Sequence, residues 1–195
     1  MASSAELSAL LDEIRACRVC ADALPLGPRP VLRATATARV LIAGQAPGTA
    51  VHATGIPWND PSGERLREWL GLDRATFYDA ARIAIVPMGF CYPGRLPRGG
   101  DAPPRPECAK LWRARLLAQL PEVRLTLLVG GYAISGALGP GAMTERVARF
   151  RTMLPGVCAL PHPSWRTRAW ERRNPWFAAE LLPALRAVLA GVLRG

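Results

Sequence analysis

The 195-residue chain has no apolar run approaching the roughly 18 residues a membrane-spanning helix needs, which argues against such a helix. Its opening, Met1-Ala-Ser-Ser-Ala-Glu, lacks the basic and then apolar pattern of a secretory signal, so a soluble cytoplasmic protein is expected. Lysine is nearly missing: of 25 basic residues only Lys110 is a lysine, a bias that GC-rich coding also produces, so arginine content alone is no evidence of phosphate binding. No internal repeat is present, and there are only two histidines, His52 and His162, and two asparagines, Asn59 and Asn174. What is there is an ordinary globular composition, 50% hydrophobic and 21% charged. A chain of this length buries roughly 70% of its unfolded surface, enough for one full core without disulfide staples, so disorder and a stapled mini-protein are excluded and residues 1–195 are expected to form one domain. The net charge of +10 favours an anionic partner, nucleic acid first.

Hydrophobic spacing divides the chain into alternating elements. Ser3 with Glu6 three residues on reads as the capping box of a helix carrying Leu7, Leu10, Leu11 and Ile14, with Cys17 and Cys20 at its end. Residues 21–39, rich in Pro and Arg, read as a loop running over the surface. Val40-Leu41-Ile42-Ala43 reads as a buried strand, broken by Gly44-Gln45-Ala46-Pro47-Gly48. A helix from near Ser62 carries Leu66, Trp69 and Leu70 and stops at Gly71. Ile83-Ala84-Ile85-Val86 is the second strand, and the irregular stretch 87–106 after it is long enough to suggest function. A helix through Cys108, Leu111, Trp112 and Leu116 leads to a third strand, Leu125-Thr126-Leu127-Leu128-Val129, and Gly130-Gly131 opens a short helix. The fourth strand, Val157-Cys158-Ala159-Leu160, runs into Pro161-His162-Pro163-Ser164. The last helix is expected to open with Asn174 as cap and Pro175 at its first position, continuing through Leu181, Leu182, Leu185 and Leu189. This alternation predicts an α/β fold: a four-stranded parallel sheet covered by helices on both faces, a three-layer αβα sandwich. Ligands of such sheets bind outside the carboxyl ends of the strands, where all the irregular segments should converge.

Five cysteines in a cytoplasmic protein are not a disulfide framework. Cys17 and Cys20 form a Cys-x-x-Cys pair, and Cys91 and Cys108 flank the long loop, a set suiting a structural zinc or an iron-sulfur cluster. Cys158, between apolar neighbours in a strand, reads as a core residue. Both histidines lie beside the expected crevice, and Pro163 stiffens the turn that holds His162.

These segments together resemble the uracil-DNA glycosylase superfamily. Gly44-Gln45-Ala46-Pro47-Gly48 is similar to its first active-site motif and His162-Pro163-Ser164 to its second. Gly55-Ile-Pro-Trp58-Asn-Asp60-Pro-Ser62-Gly63 with Leu66 is similar to a segment of the bacterial and archaeal families 4 and 5, and Cys17, Cys20, Cys91 and Cys108 fall in the order of their 4Fe-4S ligands. The resemblance covers about residues 5–190. It implies a DNA glycosylase of base excision repair that flips a nucleotide into a pocket and hydrolyses the bond between uracil, or a related deaminated base, and its sugar. The cofactor it implies is a structural 4Fe-4S cluster, with zinc as the less favoured alternative.

Residue by residue, the resemblance makes Trp58 an aromatic wall for the flipped base. Gly44, Ala46, Pro47, Gly48 and Ser164 join it in binding substrate. His162 and the backbone around Gln45 and Ala46 would donate hydrogen bonds to the departing base anion, where electrostatic stabilisation has most effect. The sequence departs from its relatives in two ways. Neither the Asp that the best-known family has at the Ala46 position nor the Glu that family 4 has at the Gln45 position is present. Asp60, in a segment like the Asp-x-Ser-Gly of family 5, is therefore assigned to position the water or balance the oxocarbenium ion; the plain alternative is a helix cap, and His52 is a weaker candidate. The Asn that strict uracil readers carry after the second strand is also missing, so reading would fall to backbone groups near Gly89 and Phe90, and a range broader than uracil is expected. Beyond the second motif, Trp165, Arg166 and Arg168 suit DNA, with Trp165 or Arg166 as a wedge and arginines on phosphates. Four of the seven arginines between Arg146 and Arg173 lie just past this motif.

The missing motif carboxylate keeps a second reading open, a non-catalytic module that binds damaged or single-stranded DNA. A hydrolase of free nucleosides is a third, weakened by the basic charge. A monomer is the favoured expectation.

Overall fold

The computed structural model describes residues 4–194. In chain order the elements are α1 (Ser4–Arg15), β1 (Val40–Ala43), α2 (Thr49–Thr54), α3 (Pro61–Leu70), α4 (Arg74–Phe77), β2 (Ile83–Ile85), α5 (Pro106–Cys108), α6 (Ala114–Ala118), β3 (Leu125–Val129), α7 (Gly131–Leu138), α8 (Met143–Ala148), α9 (Phe150–Met153), β4 (Val157–Leu160), α10 (Arg168–Arg173) and α11 (Leu182–Arg194). A π-helical segment, Ala109–Arg113, joins α5 to α6, and another, Phe177–Leu181, leads into α11.

The four strands form one parallel sheet in the order β2-β1-β3-β4. The strands are short, and apart from the half-buried Thr126 and Val157 their residues are apolar and buried, as strands covered on both faces must be. Side chains alternate between faces: Leu41 and Ala84 join Val86 against α1, Phe90 and Leu116, whereas Val40, Ile42, Ile83 and Ile85 pack with Leu66, Leu70 and the α11 residues Leu185 and Leu189. The result is the α/β sandwich with helices on both sides of a four-stranded parallel sheet. The chain leaves β1 toward β2 on one side and returns to β3 on the other, so a crevice opens beyond the carboxyl end of β1.

Several boundaries differ from those read in the sequence. Ser3, the expected cap of α1, lies outside the described residues. The 21–39 connection is no mere surface loop: Arg33 exchanges backbone hydrogen bonds with Ile85 at 2.9 and 2.7 Å, covering the open edge of β2, and Val31, Ala34 and Ala38 are buried. Leu111 is exposed while Cys108 and Leu116 are buried, because the π-helical turns shift the apolar register between them. Asn174 does not cap the last helix with its side chain; its amide donates to the Trp170 carbonyl at the end of α10, and regular α-helix resumes only at Leu182.

Candidate active site

A cavity of about 120 Å³ lies at the carboxyl end of β1. The first-motif residues Gly44 through Gly48 form one wall; Pro57, Trp58, Asp60 and Ser62 form a second; Ile85 ends β2 and Pro87 lies just beyond it; His162 follows β4. Segments from the ends of β1, β2 and β4 thus meet, as the topology requires, with the 57–62 stretch that leads into α3. Asp101, from the long loop after β2, completes the lining.

Glycines decide where the indole of Trp58 can go. A Cβ on Gly44 would come within 2.9 Å of Trp58 Cζ2, so only a glycine lets the ring lie against the first motif. A Cβ on Gly63 would fall 1.8 Å from the Trp58 carbonyl oxygen. Trp58 itself has φ 57°, the left-handed region that bulky residues avoid, and it is the one non-glycine residue with positive φ among those described. Arg67 donates to its carbonyl at 3.4 Å. Between Trp58 and Gly63 lies Asp60, whose Oδ1 accepts from the Gly63 N–H at 2.7 Å; with Pro61 at the first helical position this begins α3. Asp60 is thus both the helix cap and a wall of the cavity.

The His162 ring lies 5.8 Å from the Trp58 indole, centroid to centroid. Its loop is tightly held. The Ser164 N–H and the Thr167 hydroxyl both donate to the His162 carbonyl, and Arg65, paired with Glu171, donates to the Ser164 carbonyl at 2.8 Å. Gly130, with φ 87°, packs closely behind: a Cβ there would touch His162 Cβ at 3.4 Å. Burial pushes the His162 imidazole below its ordinary pKa, opposed by the nearby charges of Asp60 and Asp101. Burial thus favours the neutral ring, which offers one N–H as a donor.

Not every residue singled out in the sequence reaches the cavity. The Gly89 N–H donates to the Gln45 carbonyl at 2.9 Å, and the Phe90 N–H points to Cys108 Sγ at 3.5 Å. Phe90 is a core residue, so these two N–H groups are committed elsewhere and Ile85 and Pro87 stand where the base-reading groups were expected. Ser164 supports His162 without lining the cavity. His52 sits on α2 with its ring 6.1 Å from Tyr92 and its Nδ1 buried without a hydrogen-bond partner. Gln45 lines the cavity, and its amide nitrogen donates to the carbonyl of Ala102 at 2.8 Å, tying the long loop to the first motif. Trp165 is 73% exposed beside the second motif, with the Arg166 guanidinium 5.6 Å from its ring centre. Arg166 also approaches Gly99 and Gly100, so the loops after β2 and β4 touch at the rim. Arg168 opens α10 next to them.

Asp101 is the residue that sequence reading missed. The signal was present: it is the only acid in the stretch 87–106, a strand-following loop already expected at the crevice.

Cys17, Cys20, Cys91 and Cys108 line one small cavity, walled by Ile14, Leu24, Phe90 and Trp112. All four are free thiols, and burial pushes Cys91 up to about 11 and raises Cys108. Arg105, paired with Glu107, places its positive charge near Cys20, and the buried Trp112 Nε1 has no hydrogen-bond partner. A donor set of four soft thiols, a cationic neighbour and an orphaned N–H fits an anionic metal-thiolate group. The side chains are not themselves drawn into ligand geometry: among the described residues no group of three or more His, Cys, Asp or Glu stands ready to hold a metal ion. Cys158 is apart from them, in the core, its thiol pushed up to about 12 by burial.

The sheet order, the glycine-rich turn after β1 and the histidine after β4 define an α/β protein with a crevice at the switch point of a parallel sheet. The family model of the uracil DNA glycosylase superfamily matches residues 33–186, most of the chain and all of the cavity lining except Val31. The chain belongs to that superfamily.

Proposed function

We propose that the protein is a monofunctional DNA glycosylase that hydrolyses the N-glycosidic bond of uracil or a related deaminated base flipped out of DNA, leaving an abasic site. The observation that carries this reading is the cavity itself, where His162, the indole of Trp58 and the carboxylate of Asp60 meet the first-motif backbone of a superfamily member. Stacking on Trp58 offsets part of the few kcal/mol that unstacking the base costs. As the bond to C1′ breaks, charge grows on the base; the His162 N–H and the amides about Gln45 and Ala46 are the donors for it, and a neutral imidazole gains a stronger bond as that charge forms. Asp60, fixed at the start of α3, faces the positive sugar. The one side-chain amide in the cavity lining, that of Gln45, commits its nitrogen to the loop, which supports a range of deaminated bases broader than uracil.

The DNA would lie across the rim, with Trp165 as the wedge and Arg166 and Arg168 toward phosphates. Cys17, Cys20, Cys91 and Cys108 would hold a structural 4Fe-4S cluster, with zinc the alternative, clamping the long loop between α1 and α5. Such a group contributes folding stability and no redox step to hydrolysis.

The test is a panel of labelled oligonucleotides, single- and double-stranded, each with one uracil, hypoxanthine or xanthine, incubated and then treated with alkali. Strand cleavage at the modified base that His162→Ala abolishes supports the reading; no cleavage on any member sinks it. The lack of a carboxylate at positions 45 and 46 favours one second reading, a module that binds DNA lesions without turnover. Binding with no excision across the panel would establish that reading instead.

A further inference from the structure

The residue that lacks a counterpart in the expected site is Asp101. Its residue sits on the rim, but its carboxylate turns inward: Oδ2 lies 3.4 Å from where a Cβ on Gly48 would be. It lines the same cavity as Trp58, Asp60 and His162. Among the described residues no hydrogen bond engages this carboxylate, so its oxygens remain available to a water. Asp60 differs, because one of its oxygens is held by the Gly63 N–H.

The loop that delivers Asp101 is anchored at several points. Arg95 and Asp101 form an antiparallel bridge; the Leu96 N–H donates to the Gly100 carbonyl at 2.9 Å and the Ala102 N–H to the Gly94 carbonyl at 2.8 Å. Positive φ at Gly99 (84°) and Gly100 (90°) makes the tight return between them. The decisive anchor is Gln45, whose amide nitrogen reaches Ala102 O at 2.8 Å and Asp101 O at 3.5 Å. The side chain at a first-motif position lacking a carboxylate thus holds, one residue away, the loop that brings a carboxylate over Gly48.

Resting on the glycosylase reading above, we propose that Asp101 is the catalytic carboxylate that orients and deprotonates the attacking water, leaving Asp60 to balance charge on the sugar. The water oxygen bonds to C1′ and gives its proton to Asp101. The N-glycosidic electron pair leaves with the base nitrogen, and the base anion is held by the His162 N–H. Partial burial raises the Asp101 pKa, with Asp60 acting in the same sense and with Arg95 and His162 opposing it. The base form is therefore lost as pH falls through that raised value, and excision should decline on the acid side with it.

The experiment measures single-turnover excision from pH 4 to 9 for the wild type, Asp101→Asn and Gln45→Ala, together with binding of each to the same duplex at a pH where excision is slow. Asp101→Asn should lower the plateau rate by about 100-fold or more and remove the acid limb, with affinity unchanged within threefold. Gln45→Ala, which frees the loop without touching the carboxylate, should lower the rate less and keep the limb. An active wild type whose acid limb persists in Asp101→Asn overturns the assignment to Asp101 and leaves the glycosylase reading intact. A wild type that excises no base fails the glycosylase reading first.

Discussion

Substitution of Gly63 by alanine tests the geometry of the site without reference to any substrate. The added Cβ would stand 1.8 Å from the Trp58 carbonyl oxygen and 2.6 Å from its carbonyl carbon, both backbone atoms that no rotamer change can move. Opening the first contact even to 3.0 Å displaces one segment by more than 1 Å. Two stabilising features share that segment, the Asp60 cap bonded to the Gly63 N–H at 2.7 Å and the Trp58 indole laid on Gly44. Overpacking of this kind together with a weakened cap costs about 2 to 3 kcal/mol. For a chain of this size that lowers the melting midpoint by about 4 to 12 °C. Gly191→Ala is the control: that glycine is exposed within α11 with no atom near its Cβ position, and there alanine should raise stability by up to about 1 kcal/mol. Thermal unfolding followed by circular dichroism reads both. Displacement of Trp58 by about 1 Å should also lower excision by about 100-fold. A Gly63→Ala protein that melts with the wild type and excises at the same rate would refute the placement of Trp58 against α3 and the role drawn from it.

Other outcomes follow from particular contacts. Cys158 should resist maleimide in the folded protein and react only on unfolding, since burial pushes its thiol up to about 12; labelling in the native state would contradict its place in the core. Purified protein should be brown with about four irons per chain, and Cys108→Ser should lose the iron and melt lower; colourless protein with one zinc per chain would refute the cluster. The His162 pKa is lowered by burial, so the unfolded chain binds the proton more readily. Its stability contribution is present above the ordinary histidine pKa and lost as pH falls through the lowered folded value, and His162→Gln should flatten the pH dependence of stability there. Arg65→Met removes the donor to the Ser164 carbonyl and the partner of Glu171, and should reduce excision by slackening the His162 loop while leaving DNA affinity within threefold.

The elements that could be read from the sequence are those where local chemistry and packing agree. The four strands are short, largely apolar runs, three of them flanked by a glycine, and the turn after β1 and the His162 loop fall where a parallel sheet must place its crevice. The Asp60 cap was legible too, because Asp-Pro before a helix has only a few uses. What escaped depended on tertiary contacts with no sequence period. The backbone pairing of Arg33 with Ile85 sits in a Pro- and Arg-rich stretch that reads as loop. Phe90 and Gly89 read as pocket residues from their position after a strand, yet their amides bond within the protein because the chain turns inward beside Cys108.

Asp101 escaped for a further reason, which bears on how the site is built. A motif read along the sequence supplies a catalytic carboxylate only if it lies within the motif, and here positions 45 and 46 supply an amide and a methyl. The amide of Gln45 has a second use, since a neutral side chain at that place can donate to a carbonyl where a carboxylate would repel it, and this binds the 95–101 turn to the first motif. Glutamate at position 45 would remove the donor to Ala102 and set a negative charge beside Asp101, raising the pKa of that carboxyl further. Carboxylates at both places would therefore oppose each other. The absence of an acid in the first motif is the condition under which an acid from the loop can be held there, and it is no sign by itself that the water has lost its base.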